Sequence, residues 1–131
     1  MLTVKYQREV VLSILWIFVT LNYLYCDVIG LMDSNLLKQY LSGTVEGIQV
    51  NENFLLVAAL LMEIPIAMVL LSIILEYKFN RISNIIAGSI KSIVMIMTLF
   101  IGIPTSYYIF FASIEIFTTL FIVWYAWTWV D

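Results

Sequence analysis

Long apolar stretches dominate the chain, and short polar segments separate them. A helix needs about 20 mostly apolar residues to cross the hydrocarbon core of a membrane. Four stretches are long enough, and they predict transmembrane helices at about residues 10–32, 54–75, 83–103 and 106–130. We therefore predict an all-α membrane protein with one domain, residues 1–131, folded as an antiparallel bundle of four transmembrane helices.

The segment between the first two predicted spans carries a second, shorter pattern. Its apolar residues recur at helical spacing: Leu36, Leu37, Tyr40 and Leu41. Asp33 or Ser34 can cap the start of such a helix, and Gly43 ends the pattern. This predicts a short amphipathic helix in the outer loop. It either rests on lipid headgroups or covers the bundle, and the sequence favours the first alternative.

The distribution of basic residues predicts the orientation. Lys5, Arg8, Lys78 and Arg81 fall on one side of the predicted spans, and Lys38 stands among acidic residues on the other. Short cytoplasmic segments are enriched in Lys and Arg. We therefore expect both termini to be cytoplasmic.

Each predicted span places one strong polar residue near its middle. Asn22, Glu63, Lys91 and Glu115 lie about 12–18 Å from the outer ends of their spans, at a rise of about 1.5 Å per residue. Such residues are costly in a membrane and usually face the protein interior. We therefore expect a polar layer inside the bundle, close to the midplane.

Other small and polar residues extend this layer into stripes at helical spacing. The stripes are Ser13, Trp16, Thr20, Tyr23 and Asp27; Ala59, Glu63 and Ala67; Asn84, Gly88, Lys91, Met95 and Thr98; and Tyr108, Ala112, Glu115, Thr118 and Thr119. The stripes are expected to face one another, and small residues such as Gly88 are expected at helix contacts.

The charges in the layer allow a functional and a structural interpretation. Lys91 can pair with one carboxylate, so either Glu63 or Glu115 is expected to be protonated. Pro65 frees the backbone carbonyl of Leu61 and makes room beside Glu63. The candidate ligand-binding residues are Glu63, Glu115, Lys91, Asn22, Tyr23, Tyr108 and Thr119. A buried charge pair can also serve only to fix helix order.

Composition supports a membrane protein and disfavours several other classes. Of the 131 residues, 63% are hydrophobic and 11% are charged, with a formal net charge of −3. The chain has no histidine and one cysteine, Cys26, so neither a metal cage nor an intrachain disulfide is expected. The scattered basic residues do not predict nucleic-acid binding. No cofactor is expected.

Four segments resemble a known family. "LWIFVTLNYLYCDVIGLMD", "LLMEIPIAMVLLS", "NIIAGSIKS" and "IEIFTTLFIVWYAW" are similar to a family of small bacterial four-span membrane proteins that carries a domain-of-unknown-function label. The resemblance covers nearly the whole chain. It implies the fold and a bacterial inner-membrane location, but no activity. A looser, fold-level likeness is to DoxX-like proteins.

Four functions are compatible with these residues. The favoured hypothesis is binding of a small amphipathic or lipophilic molecule in a midplane cavity, with membrane lipid as the surroundings. The alternatives are a proton-coupled transporter acting as a homodimer, an intramembrane isomerase that uses the two glutamates, and a structural membrane subunit. The sequence favours a non-enzymatic role. Transport requires a path to both faces, whereas binding requires only a closed pocket.

Overall fold

The computed structural model describes residues 7–130, so Lys5, one of the residues that predicted the orientation, lies outside them. The helices are α1 (Arg8–Met32), α2 (Ser34–Ser42), α3 (Glu52–Ile74), α4 (Tyr77–Thr98) and α5 (Ser106–Trp127). A two-stranded hairpin, β1 (Thr44–Val45) and β2 (Ile48–Gln49), lies between α2 and α3. The predicted short helix at Leu36–Leu41 and its stop at Gly43 are confirmed.

The four long helices pack in a ring, with α1 between α3 and α5, and α4 between the same two helices. Ser13 near the start of α1 bonds to Val69 near the end of α3, and Arg8 bonds to the end of α5, so neighbouring helices are antiparallel. We call the end where α1 and α4 begin the inner end. The opposite end, which carries α2 and the hairpin, is the outer end.

Three of the helices, α1, α3 and α5, are long and apolar enough to cross a membrane. Among the described residues, α4 is the long helix that does not meet this criterion. Its sequence includes Asn80, Arg81, Asn84 and Lys91, which lower its hydropathy. The coarse prediction of an all-α chain with helices able to span a membrane therefore agrees with the structure, which gives three candidate spans where the sequence predicted four.

The bounds of α4 differ most from the prediction. The helix begins at Tyr77 rather than near residue 83, and it ends at Thr98 rather than near residue 103. The predicted span excludes the polar segment at residues 77–82, but this segment is helical, because Asn80 has hydrogen-bond partners inside the bundle. At the other end, residues 99–105 form the connection to α5, and Gly102 adopts a left-handed conformation there.

A network of fully buried polar side chains holds the inner half of the bundle together. The Asn84 side-chain oxygen accepts hydrogen bonds from Trp16 Nε1 (2.7 Å) and Ser72 Oγ (3.4 Å). The Asn84 amide donates to Asn80 Oδ1 at 2.7 Å, and the Asn80 amide donates to the Ser72 carbonyl at 2.7 Å. Four side chains from α1, α3 and α4 are thereby joined, which fixes the register of these helices.

Two arginines close the inner end of α5. Arg8 donates to the carbonyl of Tyr125 at 2.7 Å, and Arg81 donates to the carbonyls of Ala126 (3.1 Å) and Trp127 (2.9 Å). The last carbonyls of a helix have no partner within the helix, and cationic side chains stabilise that end. Two of the basic residues that predicted the orientation, Arg8 and Arg81, therefore also have a structural role.

The predicted inward stripes are confirmed on α4 and α5, and largely on α1, where Asp27 is exposed instead. The stripe on α3 is wrong: Ala59 and Glu63 are exposed, and the buried residues are Pro65, Met68 and Ser72. The reason is that α3 is apolar around nearly its whole circumference. Its apolar pattern therefore does not mark the buried face, and Glu63, the charged residue in the middle of the helix, does not mark it either.

Gly88 provides a test of the contact between α4 and α5. A Cβ atom at this position would lie 2.7 Å from Val123 Cγ2 and 3.2 Å from the Thr119 carbonyl oxygen. We expect Gly88→Leu to lower the melting temperature in detergent, because the larger side chain forces the helices apart. Ile86→Leu, on the exposed face of the same helix, is the control and should have little effect. Equal effects would contradict this packing.

Candidate functional site

Lys91 lies inside the bundle and is only 2% exposed. Its Nζ donates to the Leu61 carbonyl oxygen at 3.3 Å and lies 4.2 Å from the centre of the Tyr23 ring. Residue 65 is the helical partner of this carbonyl, and as a proline it has no N–H to donate. The predicted effect of Pro65 on Leu61 is therefore confirmed, and the freed carbonyl serves as the acceptor for a buried ammonium group.

Glu115 lies at a similar level on α5 and is 1% exposed. Among the described residues, neither of its carboxyl oxygens has a hydrogen-bond partner, and the same is true of Tyr23 Oη and Thr20 Oγ1. We call Thr20, Tyr23, Lys91 and Glu115 the charged layer. A buried polar atom without a partner costs about 1–3 kcal/mol. The layer would therefore be stabilised by a bound group that donates to these oxygens.

Two further predicted site residues have partners on a neighbouring helix. Thr119 Oγ1 accepts from Ser92 Oγ at 2.7 Å and also bonds to the Glu115 carbonyl within its own helix. Tyr108 donates its hydroxyl to Thr98 Oγ1 at 2.6 Å. Both contacts join α4 to α5, one on each side of Glu115 along the chain. They position the layer, and a ligand-binding role for either residue stays a prediction.

Two predicted site residues lie apart from the charged layer. Glu63 was expected to face the interior, and this is wrong because its side chain is exposed. It is two residues from both Leu61 and Pro65, or about 200° around the helix at 3.6 residues per turn. Since those residues face inward, Glu63 faces outward. Asn22 is half-buried and donates to the Phe18 carbonyl one turn earlier in α1, at 2.9 Å.

A cavity of about 580 Å³ opens at the outer end of the bundle. Its roof is α2 and the β1–β2 hairpin, which we call the lid, and its walls are the outer parts of α3, α4 and α5. The lining includes Leu36, Gln39, Tyr40, Phe54, Val57, Ala58, Leu61, Thr98, Ile101, Tyr107 and Tyr108. The alternative that α2 covers the bundle agrees with this lining, and contact of α2 with lipid headgroups stays a prediction.

Local sequence explains how the lid is built. Asp33 caps α2 by accepting from the backbone N–H of Asn35 at 3.0 Å, and its second oxygen accepts from Tyr107 Oη at 3.0 Å. The hairpin turns at Glu46 (φ 51°) and Gly47 (φ 79°), the left-handed pair of a tight turn. The Glu46 side chain packs against Gly102, where a Cβ would clash with it. The lid is thus attached to α5 and to the α4–α5 connection.

The cavity and the charged layer meet at Leu61. This residue lines the cavity, and its carbonyl oxygen accepts the hydrogen bond of Lys91. A molecule in the cavity therefore meets apolar walls along Val57 and Ala58, and hydroxyl groups at Thr98 and Tyr108. Within residues 7–130, no cluster of three or more His, Cys, Asp or Glu side chains is placed to hold a metal ion. The arrangement suits an amphipathic organic molecule.

Sequence reasoning missed most residues of the cavity. Asp33 was predicted only as a possible helix cap, and neither Tyr107 nor the hairpin was predicted to be part of a site. The turn residues Glu46 and Gly47, between Val45 and Ile48, include a glycine but lack the Asn-Gly or Asp-Gly pair that marks such a hairpin most clearly. Nothing in the local pattern shows that this turn packs on Gly102, because that contact joins distant parts of the chain.

Comparison with known proteins places the whole chain in one family. A family model described as "Family of unknown function (DUF6326)" matches residues 1–131. The chain belongs to this family. Neither the search of curated proteins nor the search of solved structures gave a match. Membership of the DUF6326 family agrees with the resemblance to a family labelled as a domain of unknown function, while the looser likeness to DoxX-like proteins gains no support.

The charged layer of this DUF6326 protein predicts energetic coupling between Lys91 and Glu115. We expect Lys91→Met to lower the free energy of unfolding by about 1–3 kcal/mol, because the Leu61 carbonyl loses its donor and the layer loses its cation. In the double variant Lys91→Met with Glu115→Gln, the loss of unfolding free energy should be smaller than the sum of the two single losses. The expected coupling free energy is about 0.5–3 kcal/mol. Denaturant unfolding followed by circular dichroism measures both.

The exposed pair Lys78 and Glu76, at the inner end, is the control for this cycle. Lys78→Met and Glu76→Gln should have small and additive effects, since exposed charges contribute little. Additive effects at Lys91 and Glu115 as well would show that the two groups do not sense each other.

Proposed function

We propose that this chain is an integral membrane protein in which all four long helices span the bilayer as one domain, residues 1–131. The exposed face of α4 supports this for the fourth helix. It is apolar and consists of Phe79, Ile82, Ile86, Ile90, Ile93, Ile96 and Met97. The residues that lower the hydropathy of α4 include Asn80, Asn84 and Lys91, and these are buried. A helix with this distribution fits a position between lipid and a polar bundle interior.

We further propose that the inner end faces the cytoplasm of a bacterial cell, that both termini are cytoplasmic and that the lid lies outside. Arg8, Lys78 and Arg81 all lie near the inner end, and Lys38 is on the lid. This asymmetry matches the enrichment of cytoplasmic segments in basic residues. The location is the inner membrane.

The proposed function is binding of a small amphipathic or lipophilic molecule in the outer cavity. The observation that carries it is a lidded cavity of about 580 Å³ that borders a charged layer. Sites for small organic molecules typically have volumes of about 300–1,000 Å³ and apolar walls with a few polar groups. The site differs from the midplane cavity expected from the sequence, because it lies above the charged layer rather than within it.

In this proposal, the apolar part of the ligand packs against α3 along Phe54, Val57 and Ala58. Its polar part lies at the floor, near the hydroxyl groups of Thr98 and Tyr108. Lys91 adjoins the cavity through its hydrogen bond to the carbonyl of Leu61, and the charged layer contributes to the electrostatic environment of the polar part. Glu63 and Asn22 are no longer candidates for this site.

Proton-coupled transport is the second candidate, and Glu115 favours it. A buried carboxyl group without a hydrogen-bond partner is a natural site for uptake and release of a proton. Transport would also require the inner network of Trp16, Asn80 and Asn84 to open, which makes binding the simpler proposal. The isomerase hypothesis is weaker, because Glu63, one of its two acids, faces away from the layer.

The topology is tested by cysteine labelling in intact cells. Gln49→Cys, in the hairpin, and Lys78→Cys, at the inner end, introduce thiols at exposed positions, whereas Cys26 is buried. A membrane-impermeant maleimide should label position 49 and leave position 78 unlabelled until the cells are opened. Labelling of position 78 but not of position 49 from outside would reverse the orientation.

Ligand binding is tested by filling the cavity. Ala58→Phe introduces a bulky side chain at a position that lines it, and Ser113→Phe is the control on an exposed face of α5 that does not. With a diazirine-labelled fatty alcohol in liposomes, Ala58→Phe should reduce photolabelling of the cavity residues several-fold. The control should match the native protein. Unchanged labelling in Ala58→Phe, or no labelling of cavity residues in the native protein, would contradict the proposal.

A further inference from the structure

Glu63 has no role in the proposed site, and its position demands another explanation. It is the central residue of the 23-residue helix α3, and its side chain is exposed. At a rise of about 1.5 Å per residue it lies roughly 16 Å from each end of the helix. If α3 spans the bilayer, as proposed above, this carboxyl group faces outward near the midplane, where an ionisable side chain without a partner is most costly.

The part of the chain that the structure describes places no cation beside Glu63. The basic residues within residues 7–130 are Arg8, Lys38, Lys78, Arg81 and Lys91. Of these, Lys91 is the one in the middle of a long helix, and its ammonium group bonds to Leu61 on the inward side of α3. Within residues 7–130, Glu63 therefore has no cationic partner, and a second chain can supply the missing contact.

The surface around Glu63 has the geometry of a helix–helix contact. Leu56, Leu60, Glu63, Ala67 and Leu70 follow a 4-3-4-3 spacing, which produces a continuous seam along one side of a helix. Ala59 is exposed one turn before Glu63, and Ala67 is half-buried one turn after it. Small residues on both sides of a polar group allow a second helix to approach closely enough for hydrogen bonding.

The rest of the chain covers α3 less than the other apolar helices. In the most apolar 18 residues of α3, 11% are buried within the chain, compared with 28% in both α1 and α5. Its outward face carries large exposed side chains on both sides of Glu63, with Leu60 61% exposed and Leu70 62% exposed. The most apolar helix of the protein therefore has the largest uncovered face, and the glutamate is at its centre.

We propose that a second copy of this chain covers this seam, so that two α3 helices pack about a two-fold axis with Glu63 facing Glu63. A carboxyl group both donates and accepts hydrogen bonds when it carries its proton, so it can pair with its own symmetry mate. A two-fold interface requires such self-complementarity. Within residues 7–130, a second copy also has no free cation at this depth. The polar contact across the dimer is therefore a hydrogen-bonded pair of carboxyl groups.

Cross-linking in liposomes tests the position of the interface. Leu60→Cys places a thiol in the seam and keeps Glu63, whereas Phe117→Cys places one on the middle of α5, where Phe117 is 76% exposed. Oxidation should produce a covalent dimer from Leu60→Cys and none from Phe117→Cys or from the native protein with Cys26 alone. Equal cross-linking at positions 60 and 117 would refute an interface at α3.

The role of Glu63 is tested by subunit counting with single-molecule photobleaching in the same liposomes. The native protein and Glu63→Gln should be dimeric, because the amide also donates and accepts. Glu63→Leu should weaken association by about tenfold, the effect of losing one interhelical hydrogen bond. Phe117→Leu is the control and should stay dimeric. Far-UV circular dichroism shows whether each variant keeps its helices.

Two results would overturn the dimer: single subunits of the native protein at every protein-to-lipid ratio, or association that Glu63→Leu leaves unchanged. These results are distinct from failure of the proposed topology. If alkaline carbonate releases the protein from vesicles, α3 does not span the bilayer and the membrane topology itself is wrong. A protein that resists carbonate but remains monomeric contradicts only the α3 interface.

Discussion

The bundle depends on a single constraint: each buried polar side chain of α4 needs a hydrogen-bond partner within the protein. These partners lie on the other three long helices. Asn84 bonds to α1 through Trp16, Asn80 and Lys91 bond to carbonyl groups of α3, and Ser92 bonds to Thr119 on α5. The helix with the weakest transmembrane signal is therefore the one that connects all the others.

The two ends of the bundle differ in how these polar groups are used. At the inner end, Trp16, Ser72, Asn80 and Asn84 satisfy one another and leave a closed, hydrogen-bonded core. At the level of Glu115, several buried oxygens have no partner among residues 7–130, and the space above them opens into the lidded cavity. The hydrogen-bonded inner end and the buried oxygens without partners near the cavity are consistent with the proposed binding of a molecule from the outer side.

The sequence allowed correct predictions where polarity is periodic. The stripes of α4 and α5 mark their buried faces because polar residues such as Asn84, Lys91 and Glu115 recur at helical spacing, and the opposite faces are apolar. The same logic failed on α3. There a lone glutamate was the only polar signal in the middle of the helix, and it faces away from the bundle, while the true inward side is marked by Pro65 and Ser72. The α2 part of the lid was predicted, but the hairpin part was not, because its contacts, such as Glu46 with Gly102, join distant segments.

The two-residue connection between α3 and α4 has a consequence for biogenesis. Only Leu75 and Glu76 separate these helices, and the bonds from Asn80 to Ser72 and from Lys91 to Leu61 lie within this pair. In the proposed four-span topology, α4 emerges before α5 during synthesis, so its partners on α5, such as Thr119, are still missing when it reaches the membrane. Within the α3–α4 hairpin, α3 already supplies acceptors for the ammonium group of Lys91 and for the side-chain amide of Asn80. Entry of the two helices as a unit is therefore the route that shelters the polar face of α4 until the last helix arrives.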